Sequence, residues 1–317
     1  MSEASGQLYP EGLMRGIVPV APTPFTPDEA VDLAALAGLV EFAVATGVPA
    51  ICLPAYGSEF YKLSDAERSS VVATAIKQAG GRVKVMAQSN HPSSRLAAEL
   101  ARRYEGMGAD LISFAIPRQF ALSGDDVLRY CESVSSAVSV PVLIQDFNPG
   151  GATVGADFAA RLVQASDNFR YLKLEEPMMG AKVRAIREAT GDRVGVFEGW
   201  GGMYLLELMA DGISGAVPGL AMCDLFTRVF SLAAAGKLET AFETYRFMLP
   251  EIVYSLQNLE LYHHCEKRLL RARGLLSSVT VREPQLRLDR ATEAHIEALN
   301  REVLKEVDRL GLGAARK

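Results

Sequence analysis

Lys173 stands near the end of an apolar stretch, FRYLKLEE, running from Phe169 to Glu176. As a strand, this stretch points Phe169, Tyr171, Lys173 and Glu175 one way and Arg170, Leu172, Leu174 and Glu176 the other. Enclosing an ammonium group in a packed interior disfavours its charged form. A neutral amine can attack a ketone and form a Schiff base. The protonated imine then draws electrons from the neighbouring carbon, which makes the proton there removable. The same placement suits a structural ion pair with Glu175 or Glu198, and position alone weighs the two readings equally.

A lysine used in this way needs a scaffold that brings strand ends to a common rim. From Gly16 onward, short apolar runs alternate with longer amphipathic segments. The runs are GIVPVA, PAICLP, VKVMAQ, DLISFA, PVLIQD, FRYLKLE, RVGVFE and ISGAVP. Segments such as VDLAALAGLVEFAVATG and DAERSSVVATAIKQAG separate them, and several end in glycine, as helices often do. Continuous apolar strands alternating with helices predict a parallel sheet covered on both faces. Eight units predict an α/β fold, the (β/α)8 TIM barrel. No Gly-x-Gly-x-x-Gly follows the first strand, which weakens the dinucleotide-binding alternative. Beyond about Gly236 only helical patterns remain. The expected organisation is an N-terminal segment over 1–13, a barrel over 14–235 and a C-terminal helical region over 236–317.

Barrel chemistry collects where the strands end. Thr23 closes the first run, and Tyr56, Gly57, Ser58 and Glu59 follow the second. Ser89, Asn90 and His91 follow the third, and Arg118 and Gln119 the fourth. Gln145, Asp146 and Asn148 end the fifth, Lys173 and Glu175 the sixth, and Glu198, Gly199 and Trp200 the seventh. Lys84 is also in a strand, but at its opening end, where no function is expected. In YHHCEK (Tyr262–Lys267), adjacent histidines on a helix diverge and lack an i, i+4 ligand partner, so no metal site is expected and the segment reads as surface or interface.

Composition narrows the classes of function. The 317 residues are 49% hydrophobic and 22% charged, with net charge −5, so the basic footprint of a nucleic-acid binder is missing. The four cysteines are far apart with no CxxC spacing, which favours reduced thiols in a cytoplasmic protein. No charged-then-apolar leader opens the chain, and no apolar run is long enough to span a bilayer.

Taken together, these motifs resemble the dihydrodipicolinate synthase / N-acetylneuraminate lyase superfamily from about Gly16 to Gly274. TPF (Thr23–Phe25) matches after the first strand. AYGSEFYKLSDAER (Ala55–Arg68) stands where that family has Gly-Thr-Thr-Gly-Glu followed by Leu-Ser-x-x-Glu, and YLKLEE stands where its lysine strand belongs. Two departures are clear. IPRQF puts Arg118 and Gln119 where the family has a Pro-Tyr-Tyr run with a catalytic tyrosine. IQDFNPGGATV puts Gly151 about where dihydrodipicolinate synthase has an arginine for a second carboxylate, which argues against that activity. AYGSE, SNHP, IQDFNPGGA and FEGWGG with LLELMADGISGA are similar to the 2-keto-3-deoxy-L-arabonate dehydratase branch.

The resemblance implies a Schiff-base lyase acting on a small 2-keto acid through Lys173, in a homo-oligomer (dimer or tetramer), with no cofactor because the imine is the electron sink. Other catalytic candidates are His91, as acid toward the leaving hydroxyl; Tyr56, at a family threonine position; and Glu59, acting directly or orienting its loop. The backbone amides of Gly57 and Ser58, with the Ser58 hydroxyl, are candidates for the substrate carboxylate. Thr23, Gln145, Asp146, Glu198, Gly199 and Trp200 complete the expected binding set, with Asp146 equally able to pair with Arg118. The alternatives left open are a class I pyruvate aldolase, a dihydrodipicolinate synthase-like condensing enzyme and a non-catalytic keto-acid-binding barrel.

Overall fold

The computed structural model describes residues 12–119, 121–148 and 151–312. Most of the N-terminal segment, Phe120 of IPRQF and the Pro149–Gly150 pair of IQDFNPGGATV lie outside the described residues. All eight expected runs contain a strand: β1 (Gly16–Ile17), β2 (Ala50–Leu53), β3 (Lys84–Gln88), β4 (Leu111–Ala115), β5 (Val142–Asp146), β6 (Phe169–Leu174), β7 (Gly195–Glu198) and β8 (Gly215–Ala216). They form one sheet in the order β1-β8-β7-β6-β5-β4-β3-β2. A parallel bridge from Val20, past β1, to Cys52 of β2 joins the ends of that order, and one from Val20 to Gly219 extends the β1–β8 pairing, giving a (β/α)8 barrel. Strands buried on both faces are rich in apolar residues, and LISFA and VLIQD are buried at every position.

The intervening helices are α1 (Leu33–Thr46), α2 (Asp65–Ala79), α3 (Ser94–Gly106), α4 (Gly124–Ser135), α5 (Ala156–Ala165), α6 (Gly180–Thr190), α7 (Leu205–Leu208) and α8 (Cys223–Ala234). They are followed by α9 (Leu238–Ser255), α10 (Leu259–Ala272) and α11 (Arg290–Arg309). Their ends follow local chemistry. Ser64 and Glu67 close a capping box at the start of α2, and Ser123 and Asp126 do the same for α4. Gly47, Gly80 and Gly191 end α1, α2 and α6 in the left-handed region.

The chain divides into two compact units. One comprises Ala87–Val217 with the segment up to Gly16, and the other Ile17–Met86 with Pro218 onward. In the first, Gln145 of β5 lies beside Lys173 of β6, and Lys173 beside Phe197 of β7. In the second, α10 corrects an expectation. YHHCEK is not surface: His263, His264, Glu266 and Lys267 are all buried. Burial is tolerated because the polar heads find partners, His263 with the Tyr61 hydroxyl and Lys267 with Glu59.

Candidate active site

Lys173 sits one residue before the end of β6 with 8% exposure. Its Nζ is 3.2 Å from Glu175 Oε1. The shared parity read from the sequence explains the pairing, because residues two apart project from the same side of the strand. Burial pushes the Glu175 carboxyl above the usual range, while the Lys173 charge and the Gln145 amide pull it back. Gly199, just past β7, makes the close approach possible. A Cβ there would lie 2.5 Å from Glu175 Cγ and 2.8 Å from Lys173 Cγ.

Expected binding residues in this unit already have internal partners. Gln145 Nε2 donates to Glu175 Oε1 at 2.5 Å, and Gln145 Oε1 accepts from Gln88 Nε2 at 2.9 Å. Asp146 is fully buried, receives a bidentate Arg118 fork at 2.9 and 2.7 Å and accepts the Val154 N–H. Glu198 accepts the N–H groups of Trp200 at 3.0 Å and Gly202 at 2.7 Å. It therefore folds the loop after β7, and burial pushes its carboxyl up to about 7. Trp200 packs edge-on to Phe147, with ring centroids 5.9 Å apart. His91 Nδ1 accepts the Ser93 N–H at 2.9 Å and its carbonyl accepts the Tyr130 hydroxyl at 2.7 Å, which is the geometry of a loop cap.

The other unit holds the AYGSE loop. Thr23 donates to the Ser58 carbonyl at 2.7 Å. The Ser58 N–H donates to the Ala55 carbonyl and its hydroxyl to the Ala21 carbonyl. The two Ser58 donors expected to face a carboxylate are thus occupied, the N–H by the tight 3₁₀ turn over Tyr56–Ser58 and the hydroxyl by the chain that follows β1. At Gly57 a Cβ would lie 3.1 Å from both the Tyr262 ring and Val20. Tyr56 packs edge-on to Phe60. Glu59, fully buried, is clamped by Lys267 at 2.5 Å, Lys62 at 3.1 Å and the Arg282 N–H at 3.1 Å. That is a loop-orienting role.

Sequence reasoning placed Glu175 only as a structural partner and passed over Gln88, whose strand position marks it as core. The parity of Glu175 with Lys173 was the available signal. Gln88 gave none, because its partner Gln145 is 57 positions away.

Fold and site define a (β/α)8 protein whose sixth strand carries an enclosed amine beside a carboxylate. The chain belongs to the Dihydrodipicolinate synthetase family, which matches residues 13–302, a family of lyases. It is 29% identical over 294 residues to the L-2-keto-3-deoxyarabonate dehydratase of Azospirillum brasilense, covering 90% of this chain and 94% of that one. It is 29% identical over 233 residues to the 4-hydroxy-tetrahydrodipicolinate synthase of Chlorobium limicola, covering 72% and 78%. The crystal structure of dihydrodipicolinate synthase from Rhodopseudomonas palustris superposes with a TM-score of 0.85 at 25% identity, covering 92% of this chain and 99% of that one. No described helix is long and apolar enough to cross a membrane.

Proposed function

We propose that this chain is a Schiff-base hydro-lyase that dehydrates a 2-keto-3-deoxy sugar acid such as 2-keto-3-deoxy-L-arabonate. The observation that carries the reading is the buried Lys173 with one ion partner among the described residues, Glu175, at 3.2 Å. Similarity over nearly the full length to a dehydratase of that substrate supports the choice of reaction.

In the mechanism, Lys173 Nζ bonds to the substrate C2, and the carbonyl oxygen leaves as water. Loss of a C3 proton to a base gives an enamine, whose electrons expel the C4 hydroxyl as a second water. Tautomerisation of the C5 carbinol gives an aldehyde, and hydrolysis of the imine returns the lysine and consumes one water. The net change is loss of one water, with 2-oxoglutarate semialdehyde as product. The imine is the electron sink, so the scheme needs no metal or organic cofactor. His91 presents its Nε2 as acid for the leaving hydroxyl, Tyr56 is a second hydroxyl for proton transfer, and the Gly57 backbone serves the substrate carboxylate. By analogy with its family, the enzyme works as a cytoplasmic homo-oligomer.

Borohydride reduction in the presence of pyruvate or 2-keto-3-deoxy-L-arabonate, followed by peptide mass spectrometry, tests the reading. An adduct on Lys173 with the sugar acid, and semialdehyde rather than pyruvate as product, is expected. Release of pyruvate would assign an aldolase instead, and no adduct with either acid would leave a binding barrel.

A further inference from the structure

The amide side chains beside Lys173 form one directed chain. The Ala115 backbone N–H donates to Asn90 Oδ1 at 2.7 Å, and Asn90 Nδ2 donates to Gln88 Oε1 at 3.0 Å. Gln88 Nε2 donates to Gln145 Oε1 at 2.9 Å, and Gln145 Nε2 to Glu175 Oε1 at 2.5 Å. Asn90, Gln88 and Gln145 are all buried. An amide side chain by itself can face either way. A backbone N–H cannot be turned round. With it at one end, Asn90 must present its oxygen to Ala115 and its N–H groups to Gln88, and each later amide must follow. The far end is therefore an N–H aimed at Glu175. A single reversed amide would present a carbonyl there, and only a protonated Glu175 could pair with it.

We propose that Asn90, Gln88 and Gln145 are positioning residues that hold Glu175 as an ionised proton acceptor beside Lys173. Glu175 is then a catalytic residue for imine formation. The Lys173 Nζ–H bond breaks, the proton passes to a Glu175 carboxylate oxygen, and the freed lone pair forms the bond to the substrate C2. A second proton passes from Nζ to the alkoxide, and on collapse of the carbinolamine the proton held by Glu175 joins it, so the oxygen leaves as water, the imine nitrogen keeps one hydrogen and Glu175 is again a carboxylate. This rests on the Schiff-base reading above.

The relay has a task because the surroundings of Glu175 are mixed. Lys173 favours its carboxylate, while Asp146 and the neighbouring Glu198 oppose it, with Asp146 itself held by Arg118. Burial opposes it as well. A donor delivered at fixed orientation shifts the balance without adding charge.

The test uses full-length protein, pyruvate as the probe and cyanoborohydride trapping of the Lys173 adduct from pH 5 to 9. Wild-type protein should show an acid-side limb belonging to the Lys173–Glu175 pair as a unit. Gln88→Leu breaks the chain. Asn90→Asp is isosteric but offers oxygen where Gln88 needs a donor, so it reverses the chain and keeps the test open if Gln88→Leu does not fold. Both should move the midpoint of the limb upward by about one pH unit, with the high-pH trapping rate within about twofold of wild type. Unchanged midpoints in a folded variant would reduce the amides to packing and overturn the proposal. Absence of any wild-type adduct, with pyruvate or with 2-keto-3-deoxy-L-arabonate in its place, would instead remove the Schiff base itself, and the relay with it.

Discussion

Two buried lysine–glutamate pairs in this molecule do opposite jobs. Lys267 is fully buried and fully engaged. Its Nζ meets Glu59 at 2.5 Å and the Thr280 carbonyl at 2.8 Å, and lies 4.4 Å from the centroid of the Phe25 ring. Glu59 in turn is shared with Lys62 and the Arg282 N–H. Lys173 has only Glu175 among the described residues, although an ammonium carries three donors. Burial pulls the Lys267 pKa down to about 8, yet nothing in its surroundings leaves an atom free to react. Perturbed titration alone therefore does not mark a catalytic lysine. Unused hydrogen-bonding capacity beside a proton acceptor separates the two pairs.

The largest effect that would sharpen the contrast is on turnover. Lys173→Ala should lower kcat/KM by at least about a thousandfold and abolish the borohydride adduct, as loss of a covalent nucleophile does. Its unfolding midpoint should fall only modestly, because Glu175, left without its cation, sits where burial already favours the protonated form. Lys267→Ala should cost more, about 3–5 kcal/mol, by leaving Glu59 short of its strongest partner. Denaturant titration of both variants decides. If Lys173→Ala destabilises as much as Lys267→Ala, the two pairs are one structural type and the distinction fails.

Next in size is His91. If Nε2 delivers the proton to the leaving hydroxyl, His91→Asn should lower kcat by about a hundredfold, within the range of general acid catalysis. Asparagine can still accept the Ser93 N–H, so the loop cap and the yield of Lys173 adduct should persist. Unchanged turnover in this variant takes His91 out of the mechanism and leaves it a cap.

The barrel was legible because parallel strands buried on both faces are largely apolar, and each of the eight runs has an apolar centre. Lys173 stood out as a charge within such a run, and Ser64 with Glu67 announced the start of α2. The polar rim was harder to read. Gln145, Asp146 and Glu198 sit where substrate ligands belong, but the partners of Gln145 and Asp146 come from other strands and loops, which local spacing does not encode, and Glu198 turns back on the backbone of its own loop. α10 misled for a related reason. Its charges resemble a solvated face, and only the clamp on Glu59 shows why they are inside. Ser58 had the right type and place, yet a three-residue turn claimed its N–H and the Ala21 carbonyl its hydroxyl.

The smallest effect extends the comparison to carboxylates. Glu59 is buried with cations, whereas Glu251 is buried near another carboxyl, Glu266. Burial, with Glu266 adding to it, pushes Glu251 from 4.5 up to about 8, and burial pushes Glu266 up to about 7. A carboxyl whose folded pKa is raised binds more protons folded than unfolded between the two values, so its contribution is present below the unfolded pKa and lost as pH rises through the folded one. Stability should therefore fall from about pH 5 to pH 8 by at least ~2 kcal/mol, since each pKa unit corresponds to about 1.4 kcal/mol. Glu251→Gln should flatten that slope and stabilise the protein at pH 8, because the amide has no charge to bury. The measurement is a urea midpoint at pH 5, 6.5 and 8 for both proteins. An undiminished slope in Glu251→Gln would mean that the pH dependence lies elsewhere, and that burial beside Glu266 does not hold the Glu251 proton.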